Sequence, residues 1–488
     1  MEARVLAGLQ PQAVWELFEG ITGVPRCSGK EKRIRSWVKD WAGRRGIGCK
    51  EDQRGNLLLR REASEGRRQA PVLVLQAHLD MVCAKTADCP VDFDRDPIPV
   101  RIRGDVVASQ GTTLGADNGI GVALALAALE DPALKRGPLE VLLTVGEEAG
   151  FVGAFGLKPG FFRGKYLLNL DSEELGLITI GTAGGEYTDY VLPAAFGEAA
   201  GSKALRLSVE GLAGGHSGIH IHLPRLNAIL LIVQALEELG QASEPRIGRL
   251  EGGTATNAIP ASAACTFLVP VNRTSEALQR LQEWRGRILI ESREKEPGMR
   301  IEVAEAGETR AATRRQTEAL CGLLRELPHG PLAFSKEIEG LVETSNNLAI
   351  VRSGGKAFEV SLMYRSSVAS ELDSLSKRLR QIGERHGARV SQHDRYPGWT
   401  ADPVCRFNAL VKEEYEAVLG RPAQLKAYHF GLECGVFKGI DPDLRMASIG
   451  PTIRGVHSTE ECVEIASVGV LWQVLRRVIE GMERLGPV

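Results

Sequence analysis

Histidine and carboxylate side chains stand at five places where an apolar run ends or where a helix or loop begins. They are His78, Asp117, Glu148, Asp171 and His457. Taken one at a time, each is compatible with an ordinary hydrogen-bonded loop residue. A pair of divalent metal ions, however, takes roughly two or three nitrogen or oxygen donors each, often sharing one carboxylate. Carboxylates crowded together repel one another unless cations neutralise them, so the joint set predicts a metal site.

Apolar strands are expected shortly before three of these groups. Residues 70–75, 139–145 and 166–170 are apolar and rich in strand-forming types, as in strands covered on both faces. A helical apolar pattern at 120–129 lies between the first two strands. Alternating strands and helices predict an α/β domain with a mixed, mostly parallel sheet flanked by helices. Because the carboxyl ends of such strands share one edge, we expect the polar groups to converge there.

The middle of the chain has a different pattern, in which strands alternate between buried and exposed positions. The strand-like segments are 205–210, 261–269 and 358–364, and the helical segments are 223–239 and 372–386. The strand-then-helix order occurs twice, which indicates an inserted α+β domain with two similar halves. We therefore predict a discontinuous catalytic domain of residues 1–186 and 400–488, interrupted by an inserted lid and dimerisation domain of residues 187–399.

Length and charge agree with a two-domain globular protein. A chain of 488 residues exceeds what one hydrophobic core usually organises. It is 43% hydrophobic and 25% charged, with a formal net charge of -2, so no basic face for nucleic acid is predicted.

Cysteine usage and the amino terminus both indicate the cytoplasm. The nine cysteines are scattered and include no C-x-x-C pair, which favours reduced thiols and argues against a disulfide framework. No signal-peptide pattern is found near the start. The longest apolar stretch, residues 121–129, is about half of the roughly 20 residues that span a bilayer. No membrane partner is expected.

Nine short motifs, in order and with matching spacing over nearly the whole chain, together resemble the Xaa-His (aminoacyl-histidine) dipeptidases of the di-zinc metallopeptidase superfamily. They are 76–82 (QAHLDMV), 111–121 (GTTLGADNGIG), 146–148 (GEE), 169–172 (NLDS), 211–217 (GLAGGHS), 343–348 (ETSNNL), 365–367 (RSS), 431–435 (GLECG) and 457–460 (HSTE). No single motif would suffice, but the whole set is specific. The resemblance implies a zinc-peptidase catalytic domain and a cytoplasmic enzyme that hydrolyses β-alanyl-histidine and other unblocked dipeptides.

The resemblance also assigns the metal ligands. It implies that Asp117 bridges two zinc ions, that His78 and Asp171 complete one site, and that Glu148 and His457 complete the other. The expected cofactors are therefore two divalent metal ions, and zinc is the first expectation for their identity. Carboxylate-rich ligation leaves cobalt and manganese open.

Glu147 and Asp80 have the expected catalytic roles. The resemblance implies that Glu147 is the general base, which takes a proton from a metal-bridging water and later passes it to the leaving amine. The hydroxide so formed attacks the peptide carbonyl. Asp80 is expected to accept the imidazole N–H of His78, so that the other ring nitrogen faces the metal.

Five residues are candidates for substrate binding: His216, Asn257, Arg365, His429 and Glu433. His216, in a glycine-rich turn, is the expected oxyanion donor, with a plain surface-loop histidine as the alternative. Arg365 could bind the terminal carboxylate bidentately, or form a salt bridge within the lid. Asn257 is a second lid candidate, although Thr256 and Ala261 depart from the family pattern. His429 and Glu433 could bind the free amino end, or could serve packing and helix capping instead.

Other functions compatible with the same ligands are open at this point. A tripeptidase, a carboxypeptidase or an N-deacylase would share the metal site and differ in the lid. A non-catalytic scaffold could retain the fold, although Glu147 and the five ligands would then have no chemical purpose. The expected partners are a small peptide substrate and a second copy of the chain, joined through the lid domain.

Overall fold

The computed structural model describes residues 5–307 and 310–486. The chain divides into two compact units, the first made of Met1–Thr182, Trp399–Ala427 and Leu432–Val488, and the second of Ala183–Gly398 and Tyr428–Gly431. The predicted boundaries at 186/187 and 399/400 lie within four residues of these. Residues 428–431, which the sequence analysis placed in the catalytic domain, cluster with the second unit instead.

The first unit contains both helices and strands, and the second unit is richer in strands. The helices are α1 (Gln12–Thr22), α2 (Lys32–Arg44), α3 (Ala116–Glu130), α4 (Val152–Gly156), α5 (Ala228–Ser243), α6 (Thr274–Glu291), α7 (Arg314–Glu326), α8 (Ala369–Arg385), α9 (Arg406–Leu419), α10 (Glu433–Ile440) and α11 (Ile465–Gly481), with 3-10 turns at Val271–Arg273 and Met482–Arg484. The strands are β1 (Gly48–Glu51), β2 (Leu57–Arg61), β3 (Leu73–His78), β4 (Val100–Arg103), β5 (Val106–Ser109), β6 (Leu139–Thr144), β7 (Tyr166–Asn169), β8 (Leu177–Thr182), β9 (Gly184–Pro193), β10 (Ser202–Glu210), β11 (Gly215–His216), β12 (Arg246–Gly252), β13 (Ala258–Ile259), β14 (Ala263–Pro270), β15 (Arg300–Glu305), β16 (Gly330–Phe334), β17 (Val342–Ser353), β18 (Ala357–Ser366), β19 (Arg389–Tyr396), β20 (Gln424–Tyr428), β21 (Arg445–Ser448), β22 (Ile453–Arg454) and β23 (Cys462–Glu464).

The first unit is built on an eight-stranded sheet in the order β1-β2-β6-β3-β7-β21-β8-β20. Its centre is parallel, since β3 pairs in parallel with β6 and β7, and β7 with β21. Strands β3, β6 and β7 are buried along their whole length, because helices and loops cover both faces of a parallel sheet. The predicted α/β sheet with a parallel centre is therefore confirmed.

Helix α3 packs against the sheet and is the most buried helix of this unit. Every residue from Asn118 to Leu129 is buried, and the helix lies in the same apolar core as β3 and β6. A helix that is apolar on all sides needs neighbours all round. The start of α3, where Asp117 lies, is consequently held in a fixed position next to the sheet.

The second unit contains a nine-stranded sheet in which two similar halves meet edge to edge. In the first half the order β15-β10-β14-β12 belongs to a βαββαβ unit with helices α5 and α6. In the second half β17-β18-β9-β19 has the same arrangement with helices α7 and α8. The first half is inserted between β9 and α7, and β12 and β17 pair at Gly252 and Val351. The predicted lid with two similar halves is confirmed.

One predicted helix is shorter at its start. The apolar pattern predicted a helix over 223–239, whereas α5 begins at Ala228. Pro224 lies within the first predicted turn, and Asn227 caps the helix by accepting from the backbone N–H groups of Ile229 and Leu230. A capping asparagine fixes the first helical residue, which the apolar period alone does not reveal.

The prediction that all cysteines are reduced is wrong for one pair. Cys27 and Cys83 form a disulfide, with their Cα atoms 5.7 Å apart and a sequence separation of 56 positions. The remaining seven are free. An isolated pair at long separation has no local pattern that could reveal it. Within the described part of the chain, no helix has the length and apolar character needed to cross a membrane.

Candidate active site

Five predicted metal ligands lie where strands end or loops turn in the first unit. His78 is the last residue of β3, Glu148 follows β6, and Asp171 follows β7. Asp117 is in the first turn of α3, with its neighbour Asn118 after a cis peptide bond. His457 occupies the loop between β22 and β23 in the left-handed region, with φ of 62°.

Asp117 lies between the two histidines and faces each with a different oxygen. Its Oδ1 is 3.0 Å from Nε2 of His78, and its Oδ2 is 3.3 Å from Nε2 of His457. A carboxylate whose two oxygens point at two separate imidazoles has the arrangement of a ligand shared by two cations.

The other two carboxylates divide between the same histidines. Asp171 Oδ1 is 3.2 Å from His78 Nε2, and Glu148 Oε1 is 2.8 Å from His457 Nε2. Ligand atoms of His78, Asp117 and Glu148 all lie within 4.8 Å of one another. The five side chains thus form two groups around Asp117, with the same membership as the two predicted metal sites.

The charge balance of this cluster favours cations. Burial raises the pKa of Asp171 to about 6, with the nearby His78 opposing and Asp117 and Glu148 adding to the rise. Burial likewise raises the pKa of Glu147 well above its usual range, and neighbouring carboxylates add to it. Negative charge is therefore costly here without a positive partner. Carboxylate oxygens and imidazole nitrogens are the donors that zinc and similar divalent ions take, so this set fits such ions.

Asp80 connects the cluster to the loop that carries Glu147. Its carboxylate accepts hydrogen bonds from the backbone N–H of Glu147 at 3.0 Å and of Glu148 at 3.2 Å, and from Ser28 Oγ at 2.8 Å. Nδ1 of His78 lies 3.5 Å from Asp80 Oδ1 and 3.2 Å from its backbone oxygen. Burial opposes ionisation, but His78 and these donors hold the pKa of Asp80 at about 2. Asp80 thus orients both the imidazole and the Glu147 backbone.

In the second unit, His216 is held as a neutral imidazole. Its Nδ1 accepts hydrogen bonds from the backbone N–H groups of Gly218 at 3.1 Å and Ile219 at 3.2 Å. Burial lowers its pKa to about 4, and the charge of Arg365 adds to this. With Nδ1 accepting, the ring proton is on Nε2. His216 therefore presents the donor that an oxyanion requires.

Arg365 is a buried cation that has no anionic partner in the described part of the chain. Only 4% of the residue is exposed, and its Nη1 donates to the Tyr396 hydroxyl at 2.6 Å. Among the described residues it forms no ion pair, and its Nε has no hydrogen-bond partner. The alternative of a salt bridge within the lid is therefore absent from this part of the chain. A buried guanidinium in this state is suited to an incoming carboxylate.

His429 is close to the same charge, and Asn257 is on the surface. Burial lowers the pKa of His429 to about 3, with Arg365 adding to the effect. Its Nε2 lies 2.7 Å from Ser345 Oγ. Asn257 is exposed and its backbone oxygen accepts from Ser217 N–H at 2.8 Å, which anchors the turn that follows His216.

Comparison with known proteins decides the family. Residues 207–319 match the family described as a peptidase dimerisation domain of M20 enzymes. Over 477 residues the chain is 37% identical to the cytosol non-specific dipeptidase of Escherichia coli strain K12, an alignment that covers 97% of this chain and 98% of that protein. The chain belongs to the M20 metallopeptidase family. It is accordingly a peptide-bond hydrolase, and the resemblance noted from its motifs is confirmed.

Solved structures agree with the M20 assignment. The aminoacylhistidine dipeptidase of Vibrio alginolyticus superposes with a TM-score of 0.91 at 34% identity, covering 98% of both chains. A tripeptidase of Staphylococcus aureus superposes with a TM-score of 0.57 at 16% identity, covering 98% of this chain and 99% of the other. The second likeness shows a shared fold alone.

Two charged residues of this M20 peptidase that the sequence analysis missed hold Asp117 in place. Glu461 accepts from the backbone N–H groups of Leu114 at 2.8 Å, Gly115 at 2.9 Å and Asp117 at 3.2 Å. A carboxylate at the start of α3 satisfies the free N–H groups of the first turn. The buried Arg26 donates to the backbone oxygens of Asp80, at 2.9 Å, and Gly115. Gly115 has φ of 70°, and a Cβ there would collide with Arg26.

A row of buried polar side chains crosses the sheet of the M20 fold close to the predicted metal ligands. Gln76 donates to Glu433 Oε2 at 2.7 Å, and Thr144 donates to the same oxygen at 2.7 Å. Asn169 donates to Gln76 Oε1, and Ser448 donates to Asn169 Oδ1. Glu433 is fully buried, and within the described chain its Oε1 has no partner. Burial raises its pKa to about 8. Gln76 and Asn169 each lie two residues before a predicted ligand, so the row fixes the strand ends that carry His78 and Asp171.

Proposed function

We propose that this chain is a metal-dependent dipeptidase that hydrolyses unblocked dipeptides, including Xaa-His dipeptides of the β-alanyl-histidine type. The proposal is carried by two observations: an acidic cluster suited to cations, and a buried Arg365 that has no anion among the described residues. The names of the relatives, a cytosol non-specific dipeptidase and an aminoacylhistidine dipeptidase, support the same substrate class.

The first unit is proposed to hold two divalent metal ions, with zinc as the first expectation. Asp117 would be shared, His78 and Asp171 would complete one site, and Glu148 and His457 the other. When bound, such ions polarise a peptide carbonyl and lower the pKa of water. The carboxylates bring the negative charge that balances them, and the backbone contacts of Asp80 and Glu461 keep the donors oriented.

Glu147 is proposed as the general base. It adjoins the ligand Glu148 and its backbone N–H is fixed by Asp80 at 3.0 Å, so its carboxylate is attached to a segment with little freedom. It would take a proton from the attacking water and deliver that proton to the leaving amine. Both proton transfers occur at the Glu147 carboxylate. The side chain must therefore reach the oxygen of the attacking water first and the nitrogen of the leaving amine afterwards.

The second unit is proposed to bind the substrate's polar groups. Nε2–H of His216 would donate to the oxyanion, and the guanidinium of Arg365 would bind the terminal carboxylate. Asn257, just before β13, would contribute a further contact to the substrate. Within the described residues, Nδ1 of His429 and Oε1 of Glu433 have no hydrogen-bond partner, and both atoms are proposed to receive the free amino end. A free dipeptide carries both an ammonium and a carboxylate group, and these residues would bind one each.

The chain is further proposed to form a homodimer and to be located in the cytosol. The match to a dimerisation domain supports a homodimer through the inserted domain, and the name of the Escherichia coli relative supports a cytosolic enzyme. Within the inserted sheet the edge of β12 is already paired with β17, so a second copy would use another surface of this domain.

A substrate panel tests the proposal. Protein stripped with a chelator and resupplied with zinc, cobalt or manganese is assayed on β-alanyl-histidine, several α-dipeptides, their N-acylated and amidated forms, and tripeptides. We expect cleavage that returns with metal and is confined to free dipeptides. Cleavage restricted to tripeptides or N-acylated substrates would instead indicate a tripeptidase or a deacylase, and an inactive metal-loaded protein would indicate a scaffold.

A further inference from the structure

We propose that the Cys27–Cys83 disulfide is a reversible thiol-exchange site for small zwitterionic thiols, and that its redox state sets the metal affinity and turnover of the neighbouring centre. The exchange itself is independent of the proposed function, whereas the effect on turnover rests on it. The disulfide joins the loop between α1 and α2 to the segment after β3.

The two segments run side by side from the disulfide to the catalytic cluster. The backbone N–H of Met81 donates to Arg26 oxygen at 3.1 Å, and the N–H of Ser28 donates to Met81 oxygen at 3.3 Å. Cys27 lies between Arg26 and Ser28, and Cys83 lies two residues after Met81. Only four residues separate Cys83 from the ligand His78 in the sequence.

Two side chains of the loop between α1 and α2 donate hydrogen bonds to Asp80, and Asp80 contacts residues of the predicted active site. Ser28 Oγ donates to Asp80 Oδ2 at 2.8 Å, and Arg26 donates to the Asp80 backbone oxygen at 2.9 Å. Asp80 then fixes the backbone of Glu147 and faces His78. A covalent bond one residue from Ser28 limits the freedom of this contact. Its cleavage is expected to loosen Asp80 and, through it, the imidazole and the Glu147 segment.

A cavity next to the disulfide gives small molecules access to the sulfur atoms. Cys27 and Cys83 are half-buried, and both line a cavity of about 420 Å³ together with Lys30, Lys85, Asp92 and Asp94. Lys30 pairs with Asp94 at 2.6 Å, and Lys85 donates to a backbone oxygen at 2.6 Å. The walls thus carry both signs of charge. Pro90, Val91 and Phe93 complete the lining, so the cavity offers charged and apolar contacts to a thiol peptide that has ammonium and carboxylate groups.

The exchange needs two equivalents of such a thiol. A thiolate attacks one cysteine sulfur, the Cys27–Cys83 bond breaks, and the departing cysteine leaves as a thiolate that takes a proton from water. A second thiolate attacks the mixed disulfide, which releases the oxidised small molecule and the second cysteine. The overall change is two small-molecule thiols oxidised to one disulfide, and one protein disulfide reduced to two thiols.

The experiment equilibrates the metal-loaded protein with glutathione buffers of defined reduced-to-oxidised ratio. Thiol trapping and peptide mass mapping measure the state of each cysteine. After glutathione is removed under argon, zinc affinity and β-alanyl-histidine turnover are measured. We expect Cys27 and Cys83 to titrate together and reversibly, with zinc affinity and kcat about three- to tenfold lower in the reduced form and KM nearly unchanged.

Two variants separate this effect from general thiol chemistry. The double variant Cys27→Ser/Cys83→Ser should lose the redox response, whereas Cys49→Ser, which changes an exposed free cysteine, should keep it. If the double variant does not fold, alkylation of the reduced wild-type protein replaces it and should lock the lower affinity. The proposal is overturned if the pair does not exchange, or if the oxidised and reduced forms bind zinc equally. Zinc affinity decides this even if no dipeptidase activity is found.

Discussion

The acidic cluster of the first unit (His78, Asp117, Glu148, Asp171 and His457) and the cationic cluster of the second (His216, Arg365 and His429) hold their charges in opposite ways. In the acidic cluster, the carboxylates of Asp117, Asp171 and Glu148 face imidazole nitrogens at 2.8 to 3.3 Å. In the cationic cluster, Arg365 contacts neutral groups only, within the described residues. One cluster is short of positive charge and the other is short of negative charge.

This difference shows which ligand each region is built to receive. Buried charges that lack a partner are costly, and a protein retains them where a ligand supplies the partner. The acidic cluster is rigidly oriented by Glu461, Arg26 and the polar row that includes Gln76, as a metal site requires. The cationic cluster keeps its histidines neutral, so that Arg365 is the principal charge available to an anion.

The largest expected effect comes from Glu147→Gln. Removing the proton acceptor while keeping the side chain's size should lower kcat about a thousandfold and leave two metal ions bound. Steady-state kinetics and metal analysis check this, with the exposed Glu65→Gln as the matched surface control. Near-normal turnover in the Glu147 variant would mean that another group takes the proton.

The next effect tests the cationic cluster. Arg365→Met should raise KM for free dipeptides roughly 30- to 100-fold, since a buried charge-assisted contact is worth about 2–3 kcal/mol. The KM for the corresponding dipeptide amides, which lack the carboxylate, should change little. The control is Arg352→Met, which removes another guanidinium of this unit, one that donates to backbone oxygens. Equal losses on acids and amides would contradict carboxylate binding by Arg365.

A smaller effect is expected from Glu461→Gln. Glu461 now accepts hydrogen bonds from three backbone N–H groups. The amide N–H of glutamine would face one of these N–H groups and lose that hydrogen bond, which should loosen Asp117. Zinc affinity should fall about tenfold, as measured by competition with a chelator of known affinity. The adjacent, exposed Glu460→Gln should bind zinc normally. An unchanged affinity in the Glu461 variant would show that the start of α3 needs no such anchor.

The smallest effect on activity is expected at His329, a histidine of the second unit whose titration changes the stability of the fold. His329 Nδ1 accepts from the Leu348 backbone N–H at 3.3 Å, and burial lowers its pKa to about 4. Because the unfolded state binds the proton more readily, this histidine destabilises the folded state as pH falls from about 6.5 towards 4, by about 3 kcal/mol at most. His329→Asn should flatten the pH dependence of the unfolding free energy over that range, while the exposed His222→Asn should not. Parallel curves for His329→Asn and wild type would refute the assignment.

Much of the acidic cluster was predictable because its residues follow strands whose apolar runs are visible in the sequence. His78, Glu148 and Asp171 are found at strand ends since a parallel sheet aligns those ends. Asp117 and His457 could be added through the motif resemblance. The two similar halves of the inserted domain were also predictable, because the strand-then-helix order is repeated.

Other features depend on contacts that local pattern does not encode. Glu461 acts on a helix start about 345 residues away, and Cys27 bonds to a residue 56 positions away. Arg26 is an isolated charged residue in a polar loop, so its complete burial has no signal in composition or period. The first half of the inserted domain lies between β9 and the rest of the second half. This is seen only from the pairing of β9 with β18 and β19, because the order of elements alone allows other pairings.

The central claim is tested most directly by titrating zinc into metal-stripped protein while following β-alanyl-histidine hydrolysis and bound metal together. The account predicts two zinc ions per chain, with hydrolysis absent from the stripped protein and restored as the ions bind. Hydrolysis by metal-free protein, or full activity without any bound metal at the Asp117 cluster, would contradict it.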